Sequence, residues 1–123
     1  MIFERFTSST SCLLLIDHQI GTMSWVQSIA FEEMKKNAIM LAKSAKILNI
    51  PTILTSSMED HAQGPLLSEL EEILPTEFSS RIKRAGIVNA MDDENFANAV
   101  RGLDRKKIII AGVTNDVCTV YPA

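Results

Sequence analysis

Short runs of consecutive apolar residues alternate along the chain with longer stretches in which apolar residues recur every three or four positions. A run that is apolar at successive positions buries both of its faces, as a strand inside a parallel sheet does. Recurrence at three- and four-residue spacing gives a single apolar face and predicts an amphipathic helix. The pattern predicts strands at residues 12–16, 52–55, 80–84 and 107–112, and helices at residues 31–48, 66–74, 92–103 and from 116 onward.

The order of these elements predicts the fold class. Strands that alternate with helices form a parallel sheet through right-handed crossovers, with helices on both faces. We therefore expect an α/β fold of three layers with four strands. The length of 123 residues fits a single domain over residues 1–123. Asp92 or Asp93 is suited to cap the third helix.

Charge and hydropathy narrow the range of partners. The net charge is -3 at pH 7, which supplies no positive field for nucleic acid or an anionic membrane. The longest apolar runs are far shorter than the roughly 20 residues needed to cross a bilayer, and the N-terminus does not resemble a secretory signal. We expect a soluble, cytoplasmic protein that binds neither nucleic acid nor a membrane.

The two cysteines are predicted to act separately. Cys12 starts the first strand and Cys118 follows the fourth, so parallel strands would place them at opposite ends of the sheet. At about 3.3 Å per strand residue they would lie roughly 15 Å or more apart, whereas a disulfide needs Cα atoms within about 7 Å. We expect two reduced thiols, with Cys12 as a core residue.

Reactive side chains follow three of the predicted strands. Asp17 ends the first strand, Lys83 and Arg84 end the third, and Cys118 follows the fourth. Ligands of parallel α/β sheets bind at the carboxyl ends of the strands. Because side chains alternate along a strand, only one of Lys83 and Arg84 can point into such a site. The sequence therefore predicts a crevice that gathers an acid, a cation and a thiol.

Each of these side chains has two interpretations. Cys118 lies near the start of a predicted helix, where the helix dipole would lower its pKa and favour a reactive thiolate, or it is a small core residue. Asp17 is either a base for that thiol or a hydrogen-bonded loop residue. Either Lys83 or Arg84 places its positive charge beside the reacting group, or both lie at a solvated strand end.

Five segments, taken together and in this order, resemble the isochorismatase-like cysteine hydrolases, in particular the bacterial octameric hydrolases whose substrate is unresolved. The segments are residues 14–19 (LLIDHQ), 51–55 (PTILT), 64–65 (GP), 84–90 (RAGIVNA) and 109–118 (IIAGVTNDVC). The resemblance runs from about residue 11 to the last residue. It implies a Rossmann-like fold, a homo-oligomer, a small-molecule substrate and no cofactor.

The resemblance also implies a catalytic triad. Asp17 corresponds to the acid, Arg84 to a basic position that is lysine in many relatives, and Cys118 to the nucleophile. It further implies a cis peptide bond between Val113 and Thr114, with main-chain amides there and at Cys118 forming an oxyanion hole. In the implied reaction Asp17 takes the thiol proton, the thiolate attacks an amide carbonyl, the amine leaves, and water hydrolyses the thioester.

The substrate pocket is less well defined by the sequence. Its candidate lining residues are Gln19, Trp25, Glu59, Asn89 and Thr114. Two positions depart from the pattern of the relatives, because Asn115 stands where many have threonine and Met91 where close ones have tryptophan. Both changes are expected to alter the shape of the pocket.

Metal binding is not expected. Nicotinamidases of the superfamily bind a metal through an Asp-x-His pattern after the second strand. Here Asp60 and His61 are adjacent, which is the wrong spacing, and an isolated histidine seldom makes a metal site.

Two other functions compete with the hydrolase. A non-catalytic scaffold of the same fold would keep the sheet for oligomerisation alone. A nucleotide- or flavin-binding domain is disfavoured because no loop reads G-x-G-x-x-G or G-x-x-x-x-G-K-[ST]. The resemblance also implies further βα units beyond residue 123, and we expect a chain without them to expose its fourth strand as an aggregation-prone edge.

Overall fold

A four-stranded parallel sheet forms the centre of the structure, a computed structural model that describes residues 3–123. The strand order is β3-β2-β1-β4, and every neighbouring pair is parallel. The strands are β1 (Ser11–Ile16), β2 (Thr52–Ser57), β3 (Ile82–Arg84) and β4 (Lys107–Gly112). The four predicted strands and the α/β class are thus confirmed.

Helices cover both faces of the sheet. They are α1 (Ile20–Ser24), α2 (Phe31–Ile47), α3 (Ser68–Ile73), α4 (Pro75–Ser79) and α5 (Glu94–Gly102). A 3₁₀ turn (Ala90–Asp92) precedes α5, and a π-helical turn (Asn115–Thr119) follows β4. Of the two candidate caps for α5, Asp93 is the one used, since its Oδ1 accepts the Phe96 N–H at 3.0 Å.

The central strand β1 is buried along its whole length, which explains why its sequence is apolar at successive positions. Leu13 and Leu15 pack on the face covered by α2, where the small side chains Ala38, Ala42 and Ala45 let the helix approach closely. Leu14 and Ile16 pack on the opposite face against Phe96 and Val100 of α5. The three predicted layers are therefore present.

The short elements differ most from the predictions. The structure adds α1 and α4, which were not predicted, and Pro75 begins α4 at a position where its missing N–H costs nothing. Strand β3 is three residues long instead of five, because the end of α4 occupies the chain just before it. The helix predicted from residue 116 is the π-helical turn of five residues.

Two further sequence predictions bear on the environment of the chain. Cys12 and Cys118 are both free thiols, as predicted, with Cys12 buried and Cys118 half-buried. Over residues 3–123, no helix has the length and apolar character that a bilayer crossing requires.

Candidate functional site

Asp17 occupies the first position after β1, where the backbone leaves the sheet. Its φ of 62° lies in the left-handed region, which aspartate tolerates better than most residues. Its N–H still donates to the Thr55 carbonyl of β2 at 3.0 Å. The side chain is buried, with the residue 3% exposed. A carboxylate at this depth is costly unless other groups compensate its charge.

Arg84 supplies that compensation from the end of β3. Its Nη1 and Nη2 donate to Oδ1 and Oδ2 of Asp17 at 2.7 and 3.0 Å, which is a two-point ion pair. Nη1 also donates to Thr55 Oγ1 at 3.1 Å, and Nε donates to the Ile87 carbonyl at 3.1 Å. Lys83 is exposed. Alternation along β3 therefore turns Arg84, and not Lys83, toward the site.

Cys118 completes the cluster from the π-helical turn. Its Sγ lies 3.0 Å from Oδ2 of Asp17 and donates a hydrogen bond to it. Burial, reinforced by the Asp17 carboxylate, raises the pKa of the Cys118 thiol to about 12. The prediction that a helix N-terminus lowers this pKa is therefore wrong: the turn is too short to supply a strong dipole, and burial and the carboxylate outweigh it.

The segment before Cys118 has the backbone that the resemblance implied. The Val113–Thr114 peptide bond is cis without proline. The Cys118 N–H donates to the Thr114 carbonyl at 2.8 Å, so it is not free to bind an oxyanion, contrary to expectation. Within residues 3–123 the Thr114 N–H donates to no acceptor, which leaves it available.

A cavity of about 280 Å³ opens above the three side chains. Asp17, Arg84 and Cys118 lie in its wall together with Val113 and Thr114. The rest of the lining combines uncharged polar and apolar side chains: Gln19, Thr22, Trp25, Ser57, Gln63, Gly86, Ile87, Val88 and Val117.

Gln19 lines this cavity, but its amide group is fully engaged elsewhere. Nε2 donates to the carbonyls of Ser57 and Gly64 at 2.8 and 2.7 Å, and Oε1 accepts the Ser57 N–H at 2.8 Å. The side chain thus ties the end of β2 to the loop that follows it. These hydrogen bonds give Gln19 a structural position beside the site.

Glu59 and Asn89 do not line the cavity. Glu59 is held by Arg81, whose Nε and Nη2 donate to its two oxygens at 2.7 and 3.1 Å, and by the Ser56 hydroxyl at 2.7 Å. Asn89 accepts the Met91 N–H at 3.0 Å and so caps the 3₁₀ turn. Both side chains are committed to local structure.

Thr55 was not among the predicted site residues. Its hydroxyl accepts from Arg84 and donates to the Ile82 carbonyl at 2.7 Å, which fixes the guanidinium against β3. Thr55 pairs with Ile16 in the parallel register, so it lies at the same carboxyl edge as Asp17. The strand-end rule that selected Asp17 would also have selected Thr55.

The two metal-ligand candidates lie on the surface. Asp60 and His61 are both exposed, and His61 belongs to the tight turn that closes on Met58. Residues 3–123 contain no cluster of three or more histidine, cysteine or acidic side chains placed to hold a metal ion.

A second cavity of about 700 Å³ lies between α2 and the end of β4. It shares Trp25, Val113 and Thr114 with the first cavity. His18 is buried in its wall, and no partner among the described residues reaches its Nδ1. Burial lowers the pKa of His18 to about 4, although the adjacent Asp17 opposes this. The ring is therefore neutral at pH 7.

Comparison with known proteins relates this geometry to a family. The probable hydrolase YcaC of Escherichia coli is 40% identical over 121 residues, which cover 98% of this chain and 57% of that protein. The crystal structure of the E. coli YcaC product, described as an octameric hydrolase of unknown specificity, superposes with a TM-score of 0.92 at 39% identity. That match covers 99% of this chain and 59% of the other.

A second solved structure agrees with the first. YcaC from Pseudomonas aeruginosa, solved with hexane-2,5-diol and covalent acrylamide, superposes with a TM-score of 0.93 at 41% identity, covering 99% of this chain and 59% of that one. The chain thus spans somewhat more than half the length of these relatives. The isochorismatase domain matches residues 11–121, and the chain therefore belongs to the isochorismatase family.

Proposed function

We propose that this chain carries the active site of a cysteine-dependent hydrolase that cleaves a small amide-like C–N bond through a thioester. The observation that carries the proposal is the 3.0 Å hydrogen bond from Cys118 Sγ to Oδ2 of Asp17. A thiol aimed at a carboxylate, in the wall of a cavity, is the arrangement that a nucleophile and its general base require. Arg84 orients the base through both of its oxygens.

The reaction follows from this arrangement. As Sγ of Cys118 attacks the substrate carbonyl carbon, its proton passes to Oδ2 of Asp17, and the carbonyl electrons move to the oxygen. When the tetrahedral intermediate collapses, the C–N bond breaks and the amine leaves with that proton. Water then adds to the thioester while Asp17 accepts one of its protons. The C–S bond breaks, that proton returns to Sγ of Cys118, and the carboxylic acid leaves.

The raised pKa of Cys118 is compatible with this chemistry. A thiol with a pKa of about 12 is protonated before the substrate arrives, so no free thiolate waits in the cavity. The proton instead leaves during attack, along a hydrogen bond that already exists. The Arg84 guanidinium stabilises the negative charge that passes between the sulfur and the carboxylate.

The Thr114 N–H is our candidate for stabilising the oxyanion. Thr114 lies in the cavity wall, and no acceptor among the described residues takes its N–H. A donor that is fixed before the reaction stabilises the developing charge without reorganisation. The Cys118 N–H is unsuited to this role because it already donates to Thr114.

Two properties of the relatives support the proposal. Acrylamide, which is covalently bound in the P. aeruginosa protein, is an electrophile of the kind that alkylates thiols. The E. coli protein is an octamer, and we propose that this chain also functions as a homo-oligomer.

The experiment compares the wild type with Cys118→Ser, and uses Cys12→Ser as the matched control because Cys12 is buried and is not among the residues that line the cavity. Ammonia release from a panel of small primary amides is measured, and intact-mass spectrometry of quenched samples detects the acyl-enzyme. We expect both signals in the wild type and in Cys12→Ser, and neither in Cys118→Ser.

Ammonia release that persists in Cys118→Ser would overturn the thioester mechanism. A folded wild type that neither turns over any amide nor alkylates at Cys118 would overturn the enzymatic proposal and favour a non-catalytic scaffold.

A further inference from the structure

The charges in the wall of the 280 Å³ cavity cancel. Apart from the Cys118 thiol, the only ionisable groups among the described residues that line it are Asp17 and Arg84. Their side chains are 4% and 1% exposed and form a two-point ion pair. The nearby pair of Glu59 and Arg81 is likewise internally neutralised. The described residues of this wall therefore offer a ligand no uncompensated charge.

The N–H groups of the Arg84 guanidinium already donate to acceptors within the protein. Nε donates to a backbone carbonyl, Nη1 donates to Asp17 and Thr55, and Nη2 donates to Asp17. An anionic ligand would have to compete with the Asp17 carboxylate for this cation. Such a ligand would also face the negative charge of Asp17 at short range, and juxtaposed like charges are strongly unfavourable.

The remaining lining is apolar or uncharged. Trp25, Ile87, Val88, Val113 and Val117 supply apolar surface, of which the first three are exposed at the rim. The volume of about 280 Å³ is below the range of roughly 300 to 1,000 Å³ that is common for pockets of drug-sized ligands. The walls thus favour a compact ligand that buries apolar surface and does not have to shed the hydration shell of an ion.

We infer that the substrate is a small amide with an electrically neutral, largely apolar acyl group, and that the site discriminates against amides carrying a carboxylate, phosphate or ammonium group. This inference rests on the proposed function, because it concerns the substrate of the Cys118 site. It adds a selection rule to that function, since the attacking thiol alone does not distinguish neutral from charged amides.

The first arm of the test compares iodoacetamide with iodoacetate, which are similar in size and differ in charge. The rate of Cys118 alkylation is followed by peptide mass spectrometry and divided by the rate of the same reagent with free cysteine at the same pH. We expect the normalised rate of iodoacetamide to exceed that of iodoacetate by about tenfold or more. The second arm compares ammonia release from butanamide and from succinamate, and we expect butanamide to be preferred.

Adding a positive charge at the cavity rim distinguishes an effect of the cavity from an effect of the net charge of the protein. Val88 lies on the cavity rim and is 54% exposed, so Val88→Lys adds an unpaired ammonium without disturbing the core. We expect it to raise the ratio of the normalised iodoacetate rate to the normalised iodoacetamide rate several-fold. Ile47→Lys makes the same change on α2, at an exposed residue outside the cavity wall, and should leave the ratio unchanged.

The outcomes separate the two proposals. If Cys118 reacts readily but iodoacetate matches or exceeds iodoacetamide, the neutral-substrate inference is wrong while the cysteine hydrolase stands. If neither reagent reaches Cys118 in the folded chain and neither amide is hydrolysed, the proposed function itself fails. Equal effects of Val88→Lys and Ile47→Lys would also overturn the inference, because the charge of the cavity would then not decide the rate.

Discussion

Asp17 combines more roles than any other residue of the candidate site. Its backbone turns the chain out of β1 at positive φ, one carboxylate oxygen receives Arg84, and the other receives both Arg84 and Cys118. The same carboxylate raises the pKa of the thiol that it is proposed to deprotonate. Thiol acidity and turnover are therefore expected to respond in opposite directions when this charge is removed.

We predict that Asp17→Asn lowers amide turnover by about 10²- to 10⁴-fold, the usual contribution of a general base. The same change lowers the pKa of Cys118, because it removes two of the causes that raise it. At pH 8 the thiolate fraction therefore rises, and iodoacetamide labels Cys118 faster than in the wild type. Rates of labelling and of ammonia release measured on the same samples test this divergence.

Two controls accompany this comparison. Asp116→Asn removes an exposed carboxylate from the π-helical turn and should change neither rate. Because Asp17→Asn leaves a buried arginine without its partner, it costs about 3–5 kcal/mol of stability, and circular dichroism must show that the variant is folded. Slower labelling in folded Asp17→Asn would contradict the electrostatic argument.

His18 provides a pH-dependent contribution to stability. Its pKa is about 4 in the folded chain and close to 6.5 when exposed, so the unfolded chain binds the proton more readily. The stabilisation is complete above pH 6.5 and is lost as the pH falls toward 4. We predict a decrease of about 3 kcal/mol in the free energy of unfolding over this window.

Urea unfolding at several pH values measures this contribution. His18→Gln should show a flatter dependence of stability on pH between 6.5 and 4 than the wild type. His61→Gln removes the exposed histidine and should retain the wild-type slope. Identical slopes for the wild type and His18→Gln would show that His18 is not the responsible group.

At the scale of elements, the sequence predicts long features better than short ones. The strands are predicted because their apolar runs reflect burial on both faces, as in β1. The helices α1 and α4 have five residues each, too few for a periodic pattern. The π-helical turn packs closely on the end of β4, where a Cβ added to Gly112 would lie 2.5 Å from Thr119 Oγ1, and a periodic pattern does not report such close packing.

The candidate site likewise contains features that the sequence predicts and features that only the structure shows. Asp17, Arg84 and Cys118 are brought together because parallel strands end at one edge, which their order along the chain already implies. The choice of Arg84 over Lys83 needs the register of β3. Glu59 and Asn89 also follow strands, but Glu59 is bound by Arg81 and Asn89 caps the 3₁₀ turn. Which polar partner a side chain binds is visible only in the three-dimensional structure.

We predict that Gly112→Ala displaces the π-helical turn and lowers turnover by about 100-fold, since a shift of about 1 Å in a reacting group has this effect. Thr119 Oγ1 is buried and has no hydrogen-bond partner within residues 3–123, so removing it breaks no bond that the structure describes. The double variant Gly112→Ala/Thr119→Ala should therefore recover much of the lost activity, measured as ammonia release.

Gly102→Ala is the matched control, because an added Cβ there meets no atom of the described residues within 4 Å. It should leave activity intact and stabilise α5 slightly. A double variant as inactive as Gly112→Ala alone would show that the contact with Thr119 is not what constrains the turn.

At the scale of the whole molecule, the two edges of the described sheet are unequal. Strand β3 is three residues long, whereas β4 has six and carries three consecutive isoleucines. Long apolar edges are sites of association, and short ones are not. The β4 side also contains the 700 Å³ cavity. If the described sheet associates through an exposed edge, we therefore expect β4 rather than β3 to be that edge.

We predict that Ile108→Lys, at a 41% exposed position of β4, shifts the chain toward smaller species in sedimentation velocity. A lysine on an edge strand opposes pairing with another strand by charge and hydration. Ile47→Lys, at an exposed position on α2, is the control for the added charge. If the two variants sediment alike, the β4 edge does not mediate association.

The position of Trp25 has a spectroscopic consequence. It is the only tryptophan in the sequence, and it stands in the wall that the two cavities share. Indole emission depends on the polarity of its surroundings, and tryptophan emission comes here from one side chain that lines the same cavity as Cys118. A compound that displaces water from either cavity will change that emission, and the unlabelled chain can therefore be screened optically for its own ligands.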